Sequence, residues 1–98
     1  MRKFRSGDDM VEAVQITDRS FDVSRPNHER VVGVVYDSLR RVVLVRTPQG
    51  AKTGAVGDWI IRTANGQLDL CNADAFAEKY EPWAASVLRF EKPPRGRN

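Results

Sequence analysis

The sequence has very few of the residues from which small proteins build covalent or metal-bound sites. It contains one cysteine, Cys71, and one histidine, His28, among 98 residues. A single cysteine can form no disulfide within the chain, which is typical of proteins in a reducing cytoplasm. A structural zinc site is almost always four-coordinate, so one cysteine and one histidine supply too few ligands. The sequence therefore predicts neither a disulfide framework nor a metal site.

Long apolar runs and catalytic motifs are also absent. No stretch approaches the roughly 20 apolar residues of a membrane-spanning helix, and the basic start is not followed by the apolar segment of a signal peptide. His28 lies in a polar segment without an orienting partner, and residues 54–57 lack the lysine and serine of a phosphate-binding loop. The aspartates are not spaced as a cation-binding loop. We therefore expect no catalytic residue, no metal and no cofactor, in a protein that is not an enzyme.

The net charge of +3 arises from the two ends of the chain. Residues 1–5 carry only basic charges and residues 88–98 are also mainly basic, whereas the stretch between them has more acidic than basic side chains. A dedicated nucleic-acid-binding domain more often concentrates its positive charge on one folded face. We interpret the basic ends as solvated termini, and a nucleic-acid contact through them is kept as an alternative.

Apolar periodicity predicts one α+β domain over residues 10–91, between a basic, flexible N-terminus (1–9) and a disordered basic tail (92–98). We expect five to seven mainly antiparallel strands in a rolled sheet or small barrel, with one helix over about residues 72–80. Residues 18–30 read as a loop. The strands are predicted at residues 10–17, 31–36, 41–47, 51–56, 59–61 and 67–71, with a further edge strand at 86–91. The segment 31–36 is β-branched on both faces, which favours a central position.

The best-specified part of the sequence is residues 56–81. It begins with an apolar strand at Trp59, and the dipeptide Asn65-Gly66 predicts a two-residue hairpin turn. Asn72 can cap the following helix by accepting a hydrogen bond from a backbone N–H of the first turn. The helix then presents one apolar stripe, formed by Ala73, Phe76, Ala77 and Tyr80.

Four residues are candidates for a binding site. Arg46 and Arg62 flank apolar strands, and an arginine beside an aromatic ring can hold a phosphate or stack on a base. The alternative is that both are simply outward-facing strand residues. Trp59 is expected in the core and Trp83 as a cover over the helix end, with a role as partner anchors left open for both.

Two blocks of the sequence resemble a family of small, mostly uncharacterised proteins of tailed phages and prophages. The first is a VEAVQ-type strand at residues 11–15, and the second is a GDWII-type strand at residues 57–61. A hairpin and a short helix follow the second block. The residues there that match the family's pattern are Gly66, Cys71, Asp74, Phe76, Tyr80 and Glu81. Residues 70–73 depart from the Pro-Cys-Lys-Pro that the family tends to show, and residues 18–46 do not align. The resemblance implies a phage-encoded accessory protein in the cytoplasm of a bacterial host.

The expected function is therefore non-enzymatic binding of a host protein, for example in counter-defence. One alternative is an oligomeric protein that sequesters a nucleotide signal, and another is a nucleic-acid-binding accessory protein that uses its basic ends. No membrane contact is expected. Strands 31–36 and 41–47 are apolar on both faces, and together they present more apolar surface than one short helix can cover. We therefore predict a homo-oligomer, with a dimer favoured because two-fold closure is the commonest symmetry, and with one of these strands in the interface.

Overall fold

The computed structural model describes residues 1–83, which form eight strands and one helix. All strand pairings within this part of the chain are antiparallel, so the predicted α+β class with a mainly antiparallel sheet and one helix is confirmed. The elements are β1 (Arg2–Ser6), β2 (Asp9–Gln15), β3 (Val34–Asp37), β4 (Val42–Thr47), β5 (Gly50–Gly54), β6 (Trp59–Arg62), β7 (Leu68–Cys71), α1 (Ala73–Lys79) and β8 (Glu81–Pro82).

The strands form two sheets, and the larger sheet lies between the smaller sheet and the helix. The first sheet has the order β7-β6-β2-β1-β8, and the second has the order β3-β4-β5. Because side chains alternate along a strand, the neighbours Ile60 and Ile61 on β6 enter different cores, one between the sheets and one under the helix. This two-sided burial explains why β6 is apolar at consecutive positions.

The core between the first sheet and α1 is built around aromatic rings. The Phe76 ring stacks on that of Trp59, with centroids 4.0 Å apart and planes within 2°. The Phe4 ring meets Phe76 edge-on at 4.9 Å, and the Tyr80 ring lies 5.0 Å from that of Phe76. The predicted core position of Phe76 is confirmed, and Trp59 is half-buried where it packs against this core.

The core between the two sheets is aliphatic except for Phe21, and a glycine sets the separation of its layers. Its buried residues are Ile16, Phe21, Val31, Val43, Val45, Ile60 and Leu68. A Cβ atom at Gly54 would lie 2.8 Å from Ile16 Cδ1 and 2.9 Å from Leu70 Cδ2, which is closer than carbon atoms pack. The glycine in β5 therefore allows the sheets to approach closely.

The predicted flexible N-terminus over residues 1–9 is corrected by the structure. Arg2–Ser6 forms β1, which pairs with β2 through a hairpin at residues 7 and 8. Phe4 is buried in the helix-side core, although the charged residues Lys3 and Arg5 flank it. One aromatic side chain thus fixes a strand whose basic composition indicated a solvated terminus.

The segment predicted as a central strand over residues 31–36 is instead an edge strand that begins at Val34. The Val34 N–H donates to the Val31 carbonyl at 3.1 Å, so residues 31–34 form a turn. Gly33 has φ +94°, and a Cβ atom there would lie 2.9 Å from Leu68 Cδ1. Both the positive φ and the close approach favour glycine at this turn.

The predicted two-residue turn at Asn65-Gly66 is wrong in its length. The Thr63 N–H donates to the Gln67 carbonyl and the Gly66 N–H donates to the Thr63 carbonyl, both at 2.9 Å. The loop therefore has three residues, with a positive φ of 87° at Gly66 alone, which is the next commonest hairpin form.

The predicted helix and its cap are confirmed, but its predicted apolar stripe is only partly covered: Phe76 is buried and Tyr80 half-buried, whereas Ala73 and Ala77 are exposed. The helix spans Ala73–Lys79, and the Asn72 Oδ1 accepts a hydrogen bond from the Ala75 N–H at 2.8 Å. It ends where the Tyr80 N–H donates to the Phe76 carbonyl. The predicted strand at residues 86–91 and the tail at 92–98 lie outside the described residues.

Candidate binding surface

The second sheet has one face that no other element of residues 1–83 covers. Along β4, Val43, Val45 and Thr47 are buried toward the first sheet, so the alternate residues of this strand face away from it. Cross-strand pairing extends this exposed side over all three strands, since Leu44 pairs with Val35 on one side and Thr53 on the other. We call this surface the outer face, and its residues are Val35, Val42, Leu44, Arg46, Ala51 and Thr53.

The centre of the outer face is apolar and its end is cationic. Val42 and Leu44 are half-buried by their neighbours, while Val35 is 62% exposed. Arg46 is exposed and pairs across the sheet with Ala51. It forms no ion pair with any side chain of residues 1–83. The outer face thus combines an aliphatic strip with an arginine whose charge is not neutralised by a neighbour.

A groove of about 600 Å³ runs along the free edge of β3. We call it the β3 groove, and its apolar lining is formed by Phe21, Val23, Val31, Val32, Val34, Val35 and Tyr36. Val32 is 93% exposed and Val23 is 74% exposed. Apolar side chains are therefore open to solvent beside an unpaired strand edge.

The polar wall of the β3 groove includes His28, which is held against its own loop. Its Nδ1 lies 2.8 Å from the Arg25 carbonyl oxygen. The Arg30 Nε–H donates to His28 Nε2 at 3.2 Å. A neutral ring with its proton on Nδ1 satisfies both contacts, so the imidazole acts as a structural link in this loop.

The loop over residues 18–30 is organised by one buried carboxylate, Asp22, which sequence analysis did not single out. Its Oδ1 accepts hydrogen bonds from the Ser24 hydroxyl at 2.7 Å and from the Ser24 N–H at 3.0 Å. Its Oδ2 accepts from Arg19 Nε and Nη2 at 3.2 and 3.0 Å. The hydrogen bonds from Ser24, followed by the Arg19 contact, lower the pKa of Asp22 to about 2. The spacing Asp-x-Ser, typical of an Asx turn, is the sequence signal that points to it.

This lowered pKa predicts a stability loss in acid. The folded-state pKa of Asp22, about 2, lies below the usual aspartate value of 3.8, so the ionised carboxylate stabilises the fold above about pH 4. That contribution is lost as the pH falls from about 4 to about 2. We expect Asp22→Asn to be less stable than wild type at pH 7 and to lose less stability over this acidic range.

Urea unfolding at a series of pH values measures this effect, and Asp8→Asn is the matched control. Asp8 is fully exposed, and a solvated contact such as its 3.8 Å approach to Arg5 contributes little to stability, so Asp8→Asn should unfold like wild type. Parallel profiles for Asp22→Asn and wild type between pH 4 and pH 2 would contradict the prediction.

The four residues predicted as binding candidates lie in different environments. Trp59 is stacked under α1 against Phe76, and Trp83 is 37% exposed at the end of the described chain. Arg62 lies on the first sheet, and its Nε and Nη2 donate to Glu12 Oε1 at 3.0 and 2.6 Å. Only Arg46 faces outward on the second sheet. The structure therefore does not bring Arg46 and Arg62 together. One face of the Trp59 ring is covered by the ring of Phe76.

The charges of Arg62 and Glu12 neutralise each other in their ion pair. The hydrogen bond and the charge of Arg62 hold the pKa of Glu12 below its usual value, so the carboxylate is ionised at neutral pH. An arginine that already meets a carboxylate is less able to attract a phosphate.

Cys71 lies in the helix-side core. It is half-buried beside Trp59, its cross-strand partner. Burial raises the pKa of the thiol. A protonated, half-buried thiol is a poor nucleophile, so its packing explains its presence.

No family model, curated protein or solved structure matches this chain. Within residues 1–83, no helix is long and apolar enough to cross a membrane. The same part of the chain holds no group of three or more histidine, cysteine or acidic side chains placed to bind a metal ion. The outer face and the β3 groove are the candidate binding surfaces of residues 1–83.

Proposed function

We propose that this chain is a non-enzymatic, phage-encoded accessory protein that binds a protein of the bacterial host through its outer face. The observation that carries the proposal is a sheet face whose central side chains are apolar and which residues 1–83 leave uncovered. Contiguous exposed apolar surface on a soluble protein commonly marks an interaction site.

The chemistry of the outer face favours a protein partner. The centres of protein interfaces are apolar and enriched in arginine, and arginine is a frequent hot-spot residue. Val42 and Leu44 supply a rigid aliphatic strip on the middle strand of the sheet. Arg46, two residues further along that strand, can donate to a carboxylate of the partner.

The nucleotide and nucleic-acid alternatives receive less support. A nucleotide site would need an arginine beside an accessible aromatic ring, whereas Arg62 is paired with Glu12 and Trp59 is stacked on Phe76. The nucleic-acid alternative depends on both basic ends of the chain. Residues 1–5 contribute to β1 of the first sheet, and residues 88–98 lie outside the described residues.

The test is capture of a host protein on the immobilised chain, followed by affinity measurement with that purified partner. We expect Arg46→Glu and Leu44→Lys each to weaken binding about tenfold or more, since a hot-spot residue contributes about 2 kcal/mol or more. Arg25→Glu is the matched control, because Arg25 is an exposed arginine of the 18–30 loop and its replacement makes the same change in charge as Arg46→Glu.

All three variants should keep the wild-type circular dichroism spectrum. A purified complex whose affinity is unchanged by both outer-face substitutions would refute this surface. Failure to capture any host protein, with the chain folded, would refute the function.

A further inference from the structure

The described structure has four free sheet edges, and three of them carry features that oppose strand addition. The edge strand β8 has only two residues, one of which is Pro82 and has no N–H to donate. The edge strand β5 carries Lys52, and the edge strand β7 carries Asp69, which pairs with Lys52 across the sheets at 3.3 Å. Prolines, charges and very short strands are the usual protection of sheet edges.

The fourth edge, β3, lacks this protection. Its sequence is Val-Val-Tyr-Asp, without lysine or proline. The one charged side chain, Asp37, is turned into its own hairpin, where it accepts from the backbone N–H groups of Leu39 and Arg40 at 3.0 and 3.2 Å. The Arg40 side chain also meets this carboxylate at 3.0 Å. Within β3 itself no charged side chain therefore points along the edge, although Glu29 and Arg30 line the adjacent β3 groove.

The hydrogen-bonding groups at this edge are defined by the register with β4. The Arg46 N–H donates to the Gly33 carbonyl at 2.9 Å, and bonded pairs alternate along an antiparallel ladder. Val35 therefore directs its backbone groups toward β4, whereas Val34 and Tyr36 direct theirs outward. The Val34 N–H is taken by Val31. The Val34 carbonyl, the Tyr36 N–H and the Tyr36 carbonyl are left without a backbone partner in residues 1–83.

We infer that a second copy of this chain occupies this edge, with the two β3 strands antiparallel and Val35 on the two-fold axis. In this register each Tyr36 N–H donates to the Val34 carbonyl of the other copy. The two Val35 residues face each other at a non-hydrogen-bonded position, where Cα atoms lie about 4.5 Å apart and side chains pack most closely.

The register suits self-association because it opposes no like charges. Asp37 of one copy stands opposite Gly33 of the other, so the two carboxylates do not meet. Val35, which is 62% exposed in the single chain, becomes covered by its counterpart. The exposed Val32 and Val23 of the adjacent β3 groove lie beside the new strand pair, which adds apolar burial to the hydrogen bonds.

The proposed function does not require this dimer, but the dimer would enlarge the outer face on which that function depends. Pairing at β3 joins two three-stranded sheets into one six-stranded sheet with a continuous outer face. With strands about 4.8 Å apart and a rise of about 3.4 Å per residue, the two Arg46 positions are separated by about 20 Å. Two arginines at that distance reach a common anion only if both side chains extend fully across the apolar strip, so the dimer would mainly offer a broad protein-binding surface.

Sedimentation velocity over about 1 to 100 μM tests the association. We expect a dimer for wild type and a monomer for Val35→Lys, because a lysine on each side of the axis places like charges in contact. Leu39→Lys is the matched control, since Leu39 is exposed at the tip of the same hairpin and should leave the dimer intact. A monomeric wild type, or a dimer that persists in Val35→Lys, would overturn the inference.

Disulfide trapping tests the register. In a Cys71→Ala background, Val35→Cys should form an intermolecular disulfide readily, because the expected Cα separation lies within disulfide range. Thr53→Cys is exposed on the same face but lies on β5, far from the axis, and should cross-link no faster than by random collision. Equal rates for the two variants would overturn the proposed register. Neither experiment involves a host protein, so their outcomes are distinct from that of the proposed function.

Discussion

Phe76→Ala is expected to lower the free energy of unfolding by about 3–5 kcal/mol, the cost typical of removing a buried aromatic ring. Phe76 is the only buried residue of α1. Its ring contacts those of Trp59, Phe4 and Tyr80, so truncation removes the attachment of the helix to the first sheet. The total free energy of unfolding of a small domain is roughly 5–15 kcal/mol, so this single substitution should remove a large part of it.

Urea unfolding followed by tryptophan fluorescence measures this loss, with Glu78→Ala as the control on the same helix. Glu78 is exposed, and its replacement should change the stability by less than about 0.5 kcal/mol. If Phe76→Ala matched that control, the packing of α1 on the first sheet would be contradicted.

Local signals in the sequence are sufficient for the elements whose structure is decided locally. The cap at Asn72, the helix α1 itself and its end before Pro82 all depend on residues within a few positions of one another. Strand β4 is likewise evident, since its side chains are apolar on both faces. The predicted bounds of these elements are therefore close to the observed ones.

Features decided by distant parts of the chain are not predictable in this way. Strand β1 exists because Phe4 fits beside Phe76, and nothing near Phe4 in the sequence indicates that contact. The edge position of β3 depends on which strands pair, and β-branched residues on both faces are equally compatible with a central strand and with an interface. The hairpin at Asn65 has three loop residues because Thr63 pairs with Gln67, a register set by the flanking strands.

The candidate binding surface is predictable only in part. The position of Arg46 beside an apolar strand singles it out, and it does face outward. Its companions on the outer face, Val35 and Leu44, are recognisable as apolar strand residues, but the sequence does not assign their face. The sequence alone also cannot separate Arg46 from Arg62, because the ion pair with Glu12 joins residues 50 positions apart.

The second large effect is expected at the other core. Ile60 is fully buried between the two sheets, and Ile60→Ala should cost about 2–5 kcal/mol, while Ile60→Val should cost about 0.5–1.5 kcal/mol. The exposed Val56, four residues earlier, provides the control Val56→Ala, which should change stability by less than about 0.5 kcal/mol.

The double variant Ile60→Ala, Phe76→Ala distinguishes one cooperative domain from two weakly linked layers. The two side chains pack on opposite faces of the first sheet and share no direct contact, so their effects should add within about 0.5 kcal/mol. Each single variant should also unfold in one transition, and the slope of its unfolding free energy against urea concentration should equal that of wild type. If Ile60→Ala instead melted the second sheet alone and left the tryptophan signal of the helix-side core intact, the two sheets would be separate folding units. A single transition requires that β6, which contributes to both cores, transmits the loss from one face of the first sheet to the other.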